Sequence, residues 1–458
     1  MKLKLKNIGT LRHAEIDLSK DLIILAGPNN TGKTYAAYTV YGVCDVLRNP
    51  SFSEFDNELA DTVSILVALL SNEKENDVKI PVLEFLEQFE VAVKNICNNG
   101  CENLLRNVFA DNSTNFKDST LEVIFDKHKL YEHLLTLNAK QMIAGSLIAT
   151  VDKAKEDDFF NLYMYFSTQK DRRKVLSHIK WAYQRMSLWT TQTYFKNIYI
   201  NTAERSAINI FSKELSIKRN NIVDQLLELN ITENKAADKL IGKLQRYPLP
   251  IRDSLAISED LANLSRSKSE YGFLADKIEE VLLDGKISTS KDGEVQYSPN
   301  KSKAKNLSIH LTASIVKSLS NLVFYFRHLA QKGDFIIIDE PELNLHPDNQ
   351  RKVARLLGEI INQGFKVMIS THSDYIIREL NNLIMLKSGG EKADYLTNKY
   401  GYEEKQLIDY QRVGAYLFNH NKSTSLEITK TGFEVSTIDE VINELNNASE
   451  EIYFTLFD

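Results

Sequence analysis

Polar and apolar residues alternate at the start of the chain. From Lys2 to Asn7, lysines alternate with Leu3 and Leu5, the period-two pattern of a half-exposed strand. Residues 14–18 alternate again, and Ile8-Gly9-Thr10 supplies a turn between the two runs. Residues 21–26 (Asp-Leu-Ile-Ile-Leu-Ala) are apolar almost throughout, as in a short strand buried on both faces, and residues 35–41 can open a helix. From about Ser51 to Arg185, glycine and proline nearly vanish and apolar residues recur at helical spacing, as in residues 59–70, 82–96 and 170–185. This predicts a large all-helical insertion, including antiparallel helices that project from the core. Residues 194–200 then read as a strand by aromatic and β-branched content, 211–229 as a helix, and Tyr247-Pro248-Leu249-Pro250 as a break. Residues 286–297 read as a hairpin turning at Lys291-Asp292-Gly293-Glu294, and 300–305 as a basic, solvated loop. Two further buried strands are predicted at 335–338 and 365–370. Shorter ones follow at 413–418 and 426–428, before a closing helix at 438–446.

Composition narrows the class. At 458 residues the chain can bury a sizeable core, and 18 glycines and 8 prolines favour long helices over a loop-rich all-β fold. A net charge of -6 gives no global basic footprint, so nucleic-acid binding would need a local patch. Residues 170–185, with Arg172, Arg173, His178, Trp181 and Tyr183, offer one candidate. A solvated helix face with buried aromatics has the same pattern and is the favoured reading. Cys44, Cys97 and Cys101 have no second Cys or His pair nearby, which points to buried free thiols in a reducing cytoplasm rather than zinc ligands. The N-terminus lacks a signal-peptide apolar core, and the longest apolar stretch, 63–70, is too short to span a bilayer. A soluble cytoplasmic protein without membrane contact is expected.

Two strand ends carry the candidate chemistry. Gly27-Pro28-Asn29-Asn30-Thr31-Gly32-Lys33-Thr34 fits the P-loop pattern without a gap, between a strand and a helix as that motif requires. Its glycines let successive N–H groups point at phosphate oxygens, Lys33 would reach the outer phosphates, and Thr34 would ligate Mg²⁺. ATP and Mg²⁺ are the cofactors expected. Asp339 and Glu340 end the run Phe335-Ile336-Ile337-Ile338, where α/β sheets place ligands. Asp339 suits the metal shell, and Glu340 suits a general base for the attacking water. His372 follows the strand at 365–370 and can bond the γ-phosphate. Glu204 and Arg205, after the strand at 194–200, either face the nucleotide site or a subunit contact, or pair with each other.

The order of these segments, with Pro341-Glu342-Leu343-Asn344-Leu345-His346-Pro347 after Glu340, resembles ABC-type ATPase heads of the SMC, RecF and overcoming-lysogenisation-defect branch. The resemblance covers the first fifty residues or so, the region after about Asn306, and Ala203-Glu204-Arg205. It implies an α/β fold: an ABC-type P-loop ATPase head with a mixed core sheet and an antiparallel β-subdomain. Residues 1–50 and 306–458 would form its two lobes. Residues 191–305 would complete the head with a small helical insertion and the hairpin, and 51–190 would be the large insertion. By the same resemblance Asp339 is the Walker B aspartate, Glu340 the catalytic glutamate, Glu342 to His346 the D-loop and His372 the switch histidine. Two features depart from the pattern. The signature position holds Leu311-Thr312-Ala313-Ser314-Ile315-Val316-Lys317-Ser318 without its glycines, leaving Thr312, Ser314 and Lys317 to meet a γ-phosphate across a dimer. The Q-loop glutamine has no clear match, with Gln192 the candidate.

Among such heads the chain most resembles the ATPase subunits of anti-phage systems: AriA of PARIS systems, PtuA of Septu systems and retron-associated ATPases. Overcoming-lysogenisation-defect proteins continue into a TOPRIM nuclease built on Asp-x-Asp, a pair this sequence lacks. The resemblance therefore implies head-to-tail ATP-sandwich homo-oligomers that hold a separate effector nuclease and respond to a phage-encoded trigger. A DNA-repair or recombination ATPase that closes on DNA is the alternative, and would require a basic groove. A third possibility is a nucleotide-gated scaffold with little turnover, against which the intact Glu340 argues.

Overall fold

The computed structural model describes residues 1–48, 77–111, 114–144, 147–166, 172–211, 247–290, 293–301 and 306–457. Expectations for 59–70, for nearly all of 211–229 and for parts of the 291–294 turn and the 300–305 loop lie outside the described residues. Among them, no helix is long and apolar enough to cross a membrane.

A nine-stranded sheet organises the chain. In chain order its strands are β1 (Lys2–Ile8), β2 (Leu11–Asp17), β3 (Leu22–Ala26), β5 (Thr120–Ile124), β9 (Ile198–Asn201), β13 (Phe335–Asp339), β14 (Lys366–Thr371), β15 (Val413–Asn419) and β16 (Lys422–Ser425). Across the sheet they run β5-β1-β2-β16-β15-β3-β14-β13-β9. β15, β3, β14, β13 and β9 are parallel, whereas β1 pairs antiparallel with β2 and β5. The fold is the expected α/β P-loop head with a mixed sheet and an antiparallel part. All five residues of β3 and of β13 are buried. Because successive side chains point to opposite faces, Ile23 and Leu25 join one apolar core while Leu22 and Ile24 join the other. Helix α1 (Lys33–Arg48) packs in the first core; α8 (Ser314–Phe324), α9 (Pro347–Asn362) and α10 (Asp374–Ser388) close the second.

The segment expected to be all-helical is not. It does contain α2 (Val82–Asn98), α3 (Cys101–Phe109), α4 (Lys127–Thr136) and α5 (Arg172–Thr191). It also contributes β5 to the main sheet beside β1, and β4 (Asp77–Pro81), β6 (Ala139–Ile143), β7 (Leu147–Lys153) and β8 (Phe159–Phe166) form a second antiparallel sheet, β4-β8-β7-β6. The reason is side-chain alternation: Ala149 and Val151 on β7, and Phe160, Leu162 and Met164 on β8, are fully buried. Scarce glycine and proline do not distinguish that pattern from a helix. Cys97 lies in the last turn of α2 and Cys101 opens α3 across Gly100; all three cysteines are buried and none forms a disulfide.

Later in the chain α6 (Leu249–Glu259) begins within the proline break, with Pro250 in its first turn, and α7 (Gly272–Ile278) precedes the predicted hairpin, β10 (Gly285–Thr289) with β11 (Val295–Pro299), which β12 (Leu307–Ser308) joins. Residues 426–428 are not a strand, because pairing to β15 ends at Ser425 opposite Tyr416; Leu426 and Ile428 pack instead on the second core. Helix α11 (Glu391–Lys399) follows α10, and the closing helix α12 (Ser436–Phe457) is longer than expected.

At the start of β14, buried Lys366 donates to the Leu18 carbonyl at 2.6 Å. Burial, opposed by Asp21, lowers its pKa to about 8. The folded protein therefore sheds this proton before the unfolded chain does, and stability attributable to Lys366 increases as pH rises from about 8 towards the unfolded value. Thermal melts should show wild type gaining roughly 2–3 kcal/mol relative to Lys366→Met between about pH 8 and pH 10. A pH-independent difference would disprove this.

Candidate active site

The parallel order β3-β14-β13-β9 brings Ala26, Thr371, Asp339 and Asn201 to the same sheet edge. Backbone geometry shapes the P-loop. Gly27 adopts φ +140°, and a Cβ there would lie 2.1 Å from the Phe418 carbonyl oxygen. Gly32, at φ +97°, would press a Cβ onto Leu11. Larger residues would need the strained left-handed region as well as that space. Lys33 opens α1, is 6% exposed, and donates to the carbonyls of Gly27 (2.8 Å) and Pro28 (2.6 Å). Burial lowers its pKa, while Glu340, Asp339 and Glu342 oppose that shift. Thr31 also bonds the Pro28 carbonyl.

The two predicted metal-binding residues meet: Thr34 Oγ1 donates to Asp339 Oδ2 at 3.2 Å. Ser370, at the end of β14, donates to the other Asp339 oxygen. Burial raises the Asp339 pKa to about 6 against the hydrogen bonds from Ser370 and Thr34. One buried carboxylate and one hydroxyl beside the P-loop suit Mg²⁺, a hard cation that keeps phosphate and water ligands, and these two residues would hold it.

Glu340 leaves the strand with φ +50°, in the left-handed region, and its N–H bonds the Ser370 carbonyl at 3.0 Å. This turn separates the side chain from the Asp339 direction. Glu342 lies behind it: its Oε1 accepts from Thr371 Oγ1 (2.8 Å) and the His372 N–H (2.8 Å) and lies 3.3 Å from His372 Nδ1. Its Oε2 is buried without a hydrogen-bond partner. His372, 43% exposed, is thus tethered at Nδ1 and retains Nε2 as its other polar atom. Arg205 is 1% exposed and grips the same turn from below. Its guanidinium donates to the carbonyls of Thr202 (2.9 Å), Asp339 (2.7 Å) and Glu340 (2.6 Å). Glu204 does not pair with it and instead accepts from Tyr38 at 3.0 Å.

A P-loop lysine, a hydroxyl–aspartate pair and a following glutamate on one edge of a parallel sheet make an ATPase site. The AAA ATPase domain family matches residues 1–377. The chain belongs to that family. Among curated proteins, the ATPase is similar to the cell division ATP-binding protein FtsE of Streptococcus pneumoniae, 32% identical over 79 residues, which are 17% of this chain and 34% of that one. It is also similar to the energy-coupling factor transporter ATP-binding protein EcfA of Methanothermobacter thermautotrophicus, 28% identical over 120 residues, 26% and 38% of the two chains. It thus spans about a third of the length of these relatives. Similar solved structures include an SMC head bound to the C-winged helix domain of ScpA (TM-score 0.32, 12% identity, 94% and 98% of the two chains covered). Another is the SMC head domain from Thermotoga maritima (TM-score 0.28, 10% identity, 93% and 98% covered).

Thr312 and Lys317, also expected in the site of the ATPase, bond carbonyls of their own segment. Thr312 bonds the Ile309 carbonyl at 2.7 Å and Lys317 the His310 carbonyl at 3.3 Å, while Ser314 opens α8, whose N-terminus has no side-chain cap. Ser318 and Asn209 tie α8 to the head through the Leu343 carbonyl and Ser320. Gln192 is in the wrong place for a Q-loop residue. It follows α5 in the turn before β9, and neighbouring Lys196 bonds Gly333 at the N-terminal ends of β9 and β13, opposite the P-loop. Ser370 and Arg205 were missed as positioning residues. A serine closing the buried run before His372 was the available signal for the first; the second was marked by its place after the β9 strand, but not by its carbonyl partners on the Asp339–Glu340 turn.

Proposed function

We propose that the protein is an ATP-gated switch. ATP and Mg²⁺ bound by Gly27 to Thr34 and Asp339 of one copy would be capped by Thr312, Ser314 and Lys317 of another, in a head-to-tail homodimer. Mg²⁺ would neutralise charge developing on the phosphates. Lys33 would leave the Gly27 and Pro28 carbonyls for the outer phosphates, Glu340 would orient the attacking water and take its proton, and His372, held by Glu342, would contact the terminal phosphate. Closure on ATP and relaxation on hydrolysis would then couple chemistry to assembly. The uncapped, outward N-terminus of α8 supports the shared site.

The observation that carries the ATPase reading is the Thr34–Asp339 contact beside the left-handed Glu340 turn. The role proposed for the switch is that of sensor and scaffold in an anti-phage defence complex, sequestering a separate effector nuclease and releasing it on a phage-encoded trigger. The motif resemblance to defence ATPases supports this, and the net charge of -6 weighs against a DNA-clamping head.

Glu340→Gln should keep ATP affinity within about threefold while hydrolysis falls roughly 10²–10³-fold, which phosphate release and nucleotide titration would measure. With ATP and Mg²⁺, this variant, expressed together with the genes flanking its own, should purify as a stable multimer carrying a nuclease-like chain. A lone dimer that changes mass only on adding duplex DNA would overturn the defence reading in favour of repair. Undiminished hydrolysis would overturn the role of Glu340.

A further inference from the structure

Glu204 places a third carboxylate beside Asp339 and Glu340. Arg205 fixes where it stands: one guanidinium nitrogen bonds the carbonyls of both Thr202 and Asp339, tying the end of β9 to the end of β13. Thr34 and Tyr38 lie one turn apart on the same face of α1, and Thr34 donates to Asp339 at 3.2 Å while Tyr38 donates to Glu204 at 3.0 Å. Burial raises the Asp339 pKa, and the charges of Glu340 and Glu204 raise it further, so both acids reach Asp339 electrostatically. Glu204 is exposed, and among the described residues it has no cationic partner.

A second observation comes from Thr202. Its hydroxyl is fully buried and has no hydrogen-bond partner. Continuing the β9–β13 register one step beyond Asn201 and Ile338 sets Thr202 beside Asp339. By alternation it shares the α1-facing side of the sheet with Ile200 and Ile337, and it stands near the Tyr38 hydroxyl but outside hydrogen-bond geometry. Leaving such a hydroxyl unpaired costs free energy that a ligand can recover. Thr34, Tyr38, Thr202, Glu204 and Asp339 thus present oxygen atoms only, the donor set that a hard cation and its waters require. Among the described residues, no three acids come close enough to hold an ion together, which assigns Glu204 to the waters around an ion rather than to the ion itself.

Resting on the ATP site proposed above, we propose that Glu204 and Thr202 hold water in the outer shell of the bound Mg²⁺, and that Glu204 thereby makes ATP binding depend on the ion. Without the ion, the Glu204 charge adds to those of Asp339 and Glu340 in repelling the triphosphate. With it, the same charge is attracted to the metal through one water. Mg²⁺ dehydrates reluctantly and keeps several waters, so a contact through water suits it. Two other roles for Glu204 make different demands. A bond to Tyr38 alone needs no charge, because an amide oxygen accepts it equally well. A contact with a cation of a second copy would act on association and leave the metal untouched.

The test uses the full chain carrying Glu340→Gln, which slows hydrolysis, with and without Glu204→Gln. Mn²⁺ stands in for Mg²⁺ because it takes the same oxygen ligands and is visible by electron paramagnetic resonance. A fluorescent ATP analogue is titrated in EDTA and in saturating Mn²⁺, and Mn²⁺ is titrated into the ATP complex. Glu204→Gln should lower the ratio of the two ATP affinities at least about fivefold, the lower end of usual coupling between two ligands. Mn²⁺ affinity of the ATP complex should fall by the same factor, because formation of metal–ATP in solution does not involve the protein. The nucleotide-free variant should melt within a few degrees of its parent, since glutamine keeps the Tyr38 bond. Tyr38→Phe, which removes that bond and spares the charge, should leave most of the coupling in place. An unchanged ratio and Mn²⁺ affinity, or an equal loss in Tyr38→Phe, would overturn the proposal. So would an unchanged ratio with a lighter ATP-bound assembly, which would assign Glu204 to a contact between copies. A parent that binds no nucleotide in either buffer would instead overturn the ATP site itself.

Discussion

Lys33→Ala should weaken ATP binding by at least about a hundredfold, the loss expected when a desolvated cation no longer meets phosphate charge. The Lys33 ammonium lies 2.6–2.8 Å from two of the P-loop carbonyls. Phosphate oxygens would offer the ammonium stronger charge-assisted bonds than these carbonyls do. The same arrangement predicts little loss of stability. Removing the ammonium ends its desolvation penalty, while Glu340, Asp339 and Glu342, which favour its charge, lose a partner. These opposing changes should keep the melting temperature of the nucleotide-free variant within a few degrees of wild type. Titration with a fluorescent ATP analogue and a thermal melt on the same sample would check both halves. Equal binding by wild type and variant would remove Lys33 from the site, and a collapsed melting temperature would make the binding loss uninterpretable as phosphate chemistry.

The parts of the site that could be read from the sequence are those carried by consecutive residues. A P-loop is one turn between a strand and a helix, and Asp339 follows directly from the buried strand that presents it. Both can be recognised without knowing which strands are neighbours. Gln192 could not be placed in this way, because the end of the sheet on which it lies depends on the parallel pairing of β9 with β13. Nor could the second sheet: the period-two burial in β7 and β8 spans only a few residues in a glycine-poor region where helices also occur. Strand pairing between distant segments outweighed that local signal. Ser370 lies between these cases. It sits in a recognisable strand end, but its task emerges only once β13 and β14 are paired and Asp339 stands opposite it.

Arg205 is the part furthest from sequence reach, since its bonds to Asp339 and Glu340 cross more than 130 positions. It is also the residue whose removal should cost most. Arg205→Met is expected to destabilise the protein by about 3–5 kcal/mol, the usual range when one member of a buried charge network is deleted. In a domain of this size that corresponds to a melting temperature lower by roughly 6–15 °C. The cause is twofold. Burial disfavours the guanidinium charge, but Asp339, Glu342 and Glu340 surround and compensate it; without it those acids face one another. In addition, the carbonyls of Thr202, Asp339 and Glu340 lose their donors inside the protein. Because the Glu340 carbonyl belongs to the left-handed turn that aims the glutamate proposed as general base, turnover measured below the new melting point should also fall at least about tenfold. Arg205→Lys distinguishes charge from geometry: an ammonium restores the cation, but it cannot reproduce a planar fork that spans both turn carbonyls. Stability should therefore recover in part and turnover hardly at all. Full recovery of turnover by lysine would show that the charge alone suffices, and a Met variant with wild-type melting and turnover would show that the turn holds itself.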